Sequence, residues 1–203
     1  MAKLPPTKGN LIAAKRSLEL AKKGFELMDK KRNILIRELT PQIDKAAELQ
    51  MRIDITFSDA YTSLRLANIS MGGCETAAAA TPIDDTVRVR YRSVMGVELP
   101  TVTASSVDTS ILPYGLAGTT SALDDAYKKF GKVKELILEL AETENGIYRL
   151  AYSIKKAQKR ANALRNIVIP GLSEEIVRIG SELEEKEREE FVRLKVIKAQ
   201  KGE

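Results

Sequence analysis

Residues 11–28, LIAAKRSLELAKKGFELM, carry the pattern that decides the fold. Apolar side chains recur there at alternating steps of three and four residues, at Leu11, Ala14, Leu18, Ala21, Phe25 and Met28. This spacing places them on one stripe of an α-helix and is typical of a coiled-coil seam. Arg32 interrupts the stripe, and Leu35 and Leu39 resume it. The pattern predicts a long helix that packs against a second one, with Thr7 as its N-cap.

Beyond Leu39 the apolar spacing slips. The next positions of the stripe are interpreted as Ile43, Ala46, Ile53, Phe57, Ala60 and Leu64. Thr40 and Pro41 stand at the slip. Because a proline inside a helix removes one hydrogen bond and clashes with the preceding turn, we expect a kink or local unwinding at Pro41.

The last part of the chain mirrors the first. Its stripe consists of Val133, Leu136, Leu140, Ile147, Leu150, Ile154, Ala157, Ala161 and Leu164, with Thr143 at the one polar position. The spacing then runs in three successive steps of four through Val168, Leu172 and Ile176, and Pro170 lies inside this stretch. Such a break in heptad phase is a stutter, which locally unwinds a supercoil.

Two such stripes predict a mainly α fold, a long antiparallel two-helix coiled coil with a small central head. The expected division is an N-terminal helix in residues 1–70, a head in 71–122 that is rich in Gly, Pro, Ser and Thr, and a C-terminal helix in 123–203. If the two ends of the hairpin lie level, Gly24 faces Gly180 and Pro41 faces the region near residue 163.

The head contains one segment with strand periodicity. Apolar and basic residues alternate in 86–94, TVRVRYRSV, and residues 97–102, VELPTV, can return after a turn at Met95 and Gly96. This predicts a β-hairpin at about 86–103, with Pro100 on an edge strand. Because a two-stranded hairpin is only marginally stable alone, we expect it to pack on the helices or on a partner.

The composition excludes several classes of active site. The chain has 203 residues, with 33 Lys and Arg, 28 Asp and Glu, no His and one Cys. The absence of His excludes a Ser-His-Asp triad and imidazole metal ligands. A lone Cys74 excludes a thiolate zinc cluster, and no glycine-rich phosphate loop is present. We therefore expect no catalytic, cofactor-binding or metal-binding residues.

Two pairs of acids are interpreted as structural. Asp84 and Asp85 suit a turn before the hairpin. Asp124 and Asp125 suit the first turn of the last helix, where the helix dipole favours negative charge. The sequence also has no apolar stretch near the roughly 18 residues that a membrane span needs. Its first ten residues lack the apolar region of a signal peptide, so we expect none.

Two basic clusters are the candidate partner contacts. The first is Arg88, Arg90 and Arg92, which share one face of the predicted strand and either meet a partner protein or blunt an exposed edge. The second is Lys155, Lys156, Lys159 and Arg160, within a stretch that has no acid from Asn145 to Ser173. This band is either a solvated helix face or a contact for an anionic protein surface. The net charge of +5 and the few aromatic residues argue against nucleic acid.

Three blocks of the sequence resemble the D subunit of the V-type and A-type rotary ATPases. They are residues 6–11 with 18–32, then 160–164 with 167–170, and finally 187–195. The resemblance covers both predicted helical arms. Arg165 departs from the family pattern, which commonly has an acid after Asn-Ala-Leu.

The resemblance implies a non-catalytic axle of the central stalk, a rotor shaft that would couple ion translocation to ATP synthesis or hydrolysis. Its arms would insert into the hexamer of catalytic and non-catalytic nucleotide-binding subunits, A and B. The small F subunit of the stalk would bind its side, and its head would dock on the funnel-shaped C or d subunit of the membrane rotor ring. It would then be a peripheral protein on the cytoplasmic face of the membrane, with no membrane span of its own and no cofactor. The alternative is a coiled-coil scaffold or tether with no motor.

Overall fold

A computed structural model describes residues 5–83, 85–104, 112–115, 117–200 and 202. The helices are α1 (Lys8–Met71), α2 (Glu75–Ala80), α3 (Ser121–Ala163) and α4 (Ile169–Gln200), and a π-helical turn, Leu164–Val168, joins α3 to α4. Strands β1 (Arg88–Val94) and β2 (Val97–Thr103) form an antiparallel hairpin. The predicted mainly α class, with long helices and a small hairpin, is confirmed.

The chain divides into two compact units. The first pairs Met1–Ile34 with Ile154–Glu203, and the second is Leu35–Ser153. Among the described residues, none of the helices combines the length and the apolar character that crossing a bilayer requires.

In the first unit the start of α1 packs antiparallel to the α3–α4 segment. Ala14, Ala21, Ala157, Ala161 and Ile179 are buried in this seam. Arg32, which interrupts the apolar stripe, donates a hydrogen bond from Nη1 to Gln158 Oε1 at 2.8 Å. Lys8, at the first position of α1, forms an ion pair with Glu187 at 2.8 Å. The predicted N-cap is also confirmed, since Asn10 N–H donates to Thr7 Oγ1 at 3.2 Å.

The predicted register of this pair is wrong. A Cβ on Gly24 would lie 3.7 Å from Leu164 Cδ1, whereas nothing lies within 4 Å of the equivalent position on Gly180. Leu164 precedes Gly180 by about four helical turns. The prediction failed because it set the two ends level, whereas α4 runs past the start of α1, which begins only after Pro5 and Pro6.

In the second unit the rest of α1 packs antiparallel to α3. Lys45 Nζ lies 2.6 Å from Glu139 Oε1, and Lys129 Nζ donates to Ser63 Oγ at 2.8 Å. The polar seam position predicted at Thr143 is confirmed, since Thr143 is buried and its hydroxyl donates to Glu139 O at 2.8 Å.

The predicted slip after Leu39 is wrong. Steps of three and four continue without interruption through half-buried and buried positions, at Leu35, Leu39, Gln42, Ala46, Leu49, Ile53, Thr56, Ala60, Ser63 and Ala67. Gln42 occupies the seam position that the apolar pattern had assigned to Ile43, and Ile43 is 49% exposed. The α-helix continues through Pro41, so the predicted local unwinding there is wrong, whereas a kink at this proline stays a prediction.

The stutter near Pro170 is confirmed as the π-helical turn. Ile169 N–H donates to the carbonyl of Leu164, five residues earlier, instead of to the residue four earlier. The proline has no N–H to continue the α-helical pattern.

The remaining segments of the second unit form a small core. Ala67, Ala77 and Leu123 are buried together, and Met71, Cys74, Tyr114 and Ala122 pack against them. This core lies where α1, α2 and the start of α3 meet. The hairpin packs separately, along α1 and α3.

Candidate partner-contact surfaces

The β-hairpin is folded as predicted and is held on the helices. Met95 and Gly96 form its turn with φ of 51° and 75°, which suits a two-residue hairpin turn. Leu99 is 2% exposed, so β2 carries the buried side of the hairpin. Glu142 Oε2 accepts a hydrogen bond from Val102 N–H at 2.7 Å. These contacts confirm that the hairpin packs on the helices.

Arg149 of α3 makes a second set of contacts with the hairpin. Its Nη1 donates to Glu98 O at 3.1 Å. Its guanidinium carbon lies 5.2 Å from the centroid of the Tyr91 ring, which is cation–π geometry. Glu142 and Arg149 thus hold both β2 and the face of Tyr91.

The three hairpin arginines are exposed on β1. Arg92 Nη2 lies 3.1 Å from Glu38 Oε1 of α1, so this arginine already has a partner within the chain. Within the described part of the chain, no acid lies within ion-pair distance of Arg88 or Arg90. Their positive charge is therefore available on the strand.

The basic band is on α3 in the first unit, and its side chains are exposed. Lys155, Lys156, Lys159 and Arg160 flank Ala157 and Ala161, which are buried in the seam. Across the described ranges none of these four cations forms an ion pair. The band and the hairpin arginines belong to different units.

Of the paired acids, Asp124 has a structural role. It lies in the first turn of α3, as predicted, and its Oδ1 accepts a hydrogen bond from Tyr114 Oη at 2.9 Å. Burial raises the pKa of the Tyr114 phenol, and the hydrogen bond to Asp124 raises it further. Asp85 is exposed, and Asp84 lies outside the described residues. Cys74 is half-buried in the core of the head.

Sequence analysis used residues 187–195 at the end of α4 only for the family resemblance and did not single out their exposed apolar side chains. From Glu184 to Gln200 every residue is exposed. Several of them are large and apolar: Phe191, Val192, Leu194, Val196 and Ile197. A signal was present in the sequence, because these apolar residues lie beyond Leu183, the last position of the apolar stripe in the C-terminal arm.

The ion pair nearest this end joins Lys8 and Glu187. Their mutual hydrogen bond and charge raise the pKa of Lys8 and lower the pKa of Glu187. Both side chains are largely exposed, so salt screens the interaction.

The described residues contain no group of three or more His, Cys, Asp or Glu side chains placed to hold a metal ion. The candidate surfaces are charged and apolar patches, which suit contacts with other proteins.

Comparison with known proteins identifies relatives over nearly the whole chain. The sequence model of the family described as the D subunit of ATP synthase matches residues 10–199. The V-type ATP synthase D subunit of Thermotoga neapolitana is 45% identical over 195 residues, which covers 95% of this chain and 96% of the relative. The A-type ATP synthase D subunit of Methanopyrus kandleri is 39% identical, over 95% and 84% of the two chains. That of Pyrococcus furiosus is 36% identical, over 97% and 94%.

Proposed function

The chain belongs to the family of ATP synthase D subunits, and from this premise we propose that it is the non-catalytic shaft of the central stalk in a V-type or A-type complex. Its rotation within the hexamer of nucleotide-binding subunits couples ion translocation through the membrane ring to ATP synthesis or hydrolysis.

The observation that carries the proposal is the uninterrupted helix α1, which has 64 residues and an antiparallel helical partner in each unit. Continuous helices transmit torque because each turn is hydrogen-bonded to the next. The antiparallel partner helices support α1 by burying its apolar stripe.

The non-catalytic role is supported by the chemistry of the side chains. The sequence contains no glycine-rich loop that would cradle the phosphates of a nucleotide, and Asp124 at the start of α3 is committed to its hydrogen bond with Tyr114. Nucleotide chemistry in the assembly would therefore belong to other subunits.

The proposed partners are those that the family resemblance implies, and the exposed surfaces are assigned to them as follows. The apolar end of α4 enters the hexamer of A and B subunits. The F subunit binds along the helices, and the head docks on the funnel-shaped C or d subunit, so that the protein sits peripherally on the cytoplasmic face of the membrane. The basic band and the hairpin arginines contact anionic surfaces of these partners.

The experiment is affinity purification of the tagged full-length chain from its source cells under gentle conditions. We expect A, B and F subunits to co-purify in fixed proportion, together with ATPase activity. Recovery of the chain alone would contradict the proposal and favour a scaffold or tether without a motor. Recovery with nucleic acid that salt removes would contradict it as well.

The basic band is tested in the same preparation. Reversal of charge at Lys155, Lys156 and Lys159 should reduce recovery of the partner subunits and ATPase activity. The matched control reverses Lys15, Lys22 and Lys30, which are also exposed, on α1. If both triple variants assemble and turn over ATP like the wild type, the band is only a solvated helix face.

A further inference from the structure

The two outer edges of the β-hairpin are not equivalent. On the β2 edge, Pro100 has no N–H, Glu142 accepts the bond from Val102 N–H, and Arg149 donates to Glu98 O. Side chains of α3 and a proline thus close this edge to further strand pairing.

The pairing register shows which groups of β1 point outward. Tyr91 pairs with Pro100, and because a proline cannot donate, this is a non-hydrogen-bonded pair of the ladder. Such pairs alternate with hydrogen-bonded ones, so Val89 opposite Val102 and Ser93 opposite Glu98 are also non-hydrogen-bonded. The main-chain N–H and C=O groups of Val89, Tyr91 and Ser93 therefore point away from β2. The bond from Val102 N–H to Glu142 is independent support for this assignment.

This outer edge of β1 is open. In the part of the chain that the structure describes, the outward groups of these three residues have no hydrogen-bond partner. Every residue of β1 before Val94 is exposed, and Tyr91 is 57% exposed although Arg149 covers one face of its ring. An exposed strand edge of this kind is a template for the addition of another strand.

The charge on β1 selects what can pair with it. The residues of β1 whose main-chain groups point outward alternate with Arg88, Arg90 and Arg92. Residues that lie directly opposite each other on paired strands have their side chains on the same face of the sheet. A second copy of β1 bonded to the same outward groups would place arginines opposite arginines, which destabilises a strand pair. A segment with carboxylates at alternate positions would instead place acids opposite Arg88 and Arg90, which have no acid within ion-pair distance in the described part of the chain.

We propose that the outer edge of β1 binds, by strand addition, an extended segment of a partner protein that carries acidic side chains at alternate positions. This inference rests on the proposed function, because the partner is expected within the assembly that the proposed function describes. Main-chain hydrogen bonds supply the pairing, and the arginines supply the preference for acids.

The test is hydrogen exchange of segment 88–94, measured in the purified complex and in the isolated full-length chain. In the isolated chain the amides of Val89, Tyr91 and Ser93 exchange fast, because they point to solvent. In the complex we expect these amides to slow by at least about tenfold, as amides do when they enter a stable ladder. Equal exchange in the two preparations would overturn strand addition.

A substitution distinguishes main-chain pairing from a contact of side chains. Ser93→Pro removes one outward N–H and leaves the bonds to β2 intact, as Pro100 does on the opposite strand. The matched control, Ser93→Ala, removes the hydroxyl and keeps the N–H. We expect the proline variant to lose the protection of the neighbouring outward amides, and the alanine variant to keep it. Equal protection in both variants would contradict the proposal.

A charge variant tests the partner's acidity. Arg88→Glu combined with Arg90→Glu should abolish the protection, whereas Lys at both positions should preserve it. Protection that survives the two glutamates would refute an acidic partner segment.

Failure of this inference is distinguishable from failure of the proposed function. If the wild-type chain recovers the nucleotide-binding subunits but segment 88–94 exchanges equally fast in both preparations, only strand addition is wrong. The arginines would then serve to prevent edge-to-edge association. A wild-type chain that recovers no such subunits contradicts the proposed function itself.

Discussion

Among single residues, Gln42 explains both an error in the sequence analysis and a feature of the packing. Its Oε1 is buried and has no hydrogen-bond partner among the described residues. It occupies the space left by Gly146, where an added Cβ would lie 2.8 Å from that oxygen. A polar residue at a seam position thus hides an otherwise regular heptad pattern, and a glycine on the opposite helix accommodates it.

Gln42→Met is expected to raise the free energy of unfolding by about 1 kcal/mol, because it removes a buried acceptor that lacks a partner and keeps an unbranched side chain of similar length. Urea denaturation followed by circular dichroism measures this change. Gln50→Met, at an exposed position of the same helix, is the control. A Gln42→Met variant no more stable than this control would show that the amide is satisfied in solution.

Tyr114 is expected to make stability depend on pH in the alkaline range. Its pKa in the folded protein is raised above the ordinary value of 10.0, so the folded state holds its proton where the unfolded chain releases it. The stabilisation of the folded state that results from this raised pKa is complete below pH 10 and declines as the pH rises above 10. Urea midpoints at several alkaline pH values should fall less steeply in Tyr114→Phe than in the wild type. Tyr148→Phe, at an exposed position, should behave like the wild type, and equal slopes in all three proteins would refute the role of Tyr114.

Among the elements, the π-helical turn is the one that corrects a phase error. In a regular heptad pattern, one step of three and one step of four together advance seven residues. From Leu164 to Leu172 the stripe of the α3–α4 segment advances eight, which is one residue more. A π-helical turn accommodates one more residue than an α-helical turn, so Leu172, Ile176 and Ile179 return to the seam. Pro170, which cannot donate a main-chain bond, ends the turn.

Deletion of Ile167, which is 68% exposed within the turn, combined with Pro170→Ala, which removes the clash that a proline makes inside an α-helix, is expected to convert the turn to regular α-helix and restore the heptad phase. The variant should stay within about 1 kcal/mol of wild-type stability, since no buried side chain leaves the seam. Deletion of the exposed Glu26 is the control, because nothing on α1 absorbs the rotation of about 100°. It should cost more than about 3 kcal/mol, as losing buried side chains does. Similar losses in both variants, measured by urea denaturation, would contradict this account of the turn.

At the scale of the whole molecule, several large apolar side chains are exposed together at the end of α4, as they are on surfaces that bind other proteins. Lys8 is the first residue of α1 and is paired with Glu187. The residues of α4 that follow Glu187 therefore have no residue of α1 opposite them. Phe191 is 67% exposed although large aromatic side chains are normally buried. Insertion of this end into the nucleotide-binding hexamer would cover these side chains.

We therefore expect amides of residues 188–200 to exchange rapidly in the isolated chain and at least about tenfold more slowly in the purified complex. Residues 172–183, which lie along the seam, should be protected in both and serve as the internal control. Rapid exchange of 188–200 in an intact, ATP-hydrolysing complex would mean that this end stays outside the hexamer.

Much of the fold could be predicted because periodicity is local. Steps of three and four determine which face of a helix is buried, and alternation around Met95 and Gly96 determines a hairpin. The sequence pattern also predicted correctly that Asp124 lies in the first turn of α3. It also selected basic residues that the structure leaves exposed, although their contacts with partners stay predictions. It did not single out the exposed apolar side chains at the end of α4, because their exposure depends on where α1 begins.

By itself, then, the sequence determined the helical arms, the hairpin, the family and the position of the stutter, each of which depends on neighbouring residues or on a chain-long pattern. Only the tertiary structure decided the register of the helices and which edge of the hairpin is open. Repetitive seams of small and aliphatic side chains can slide by whole heptads at little cost in burial. The register therefore depends on a few specific contacts between distant residues, such as Gln42 with Gly146 and Arg32 with Gln158, and the closed edge depends on Glu142 and Arg149.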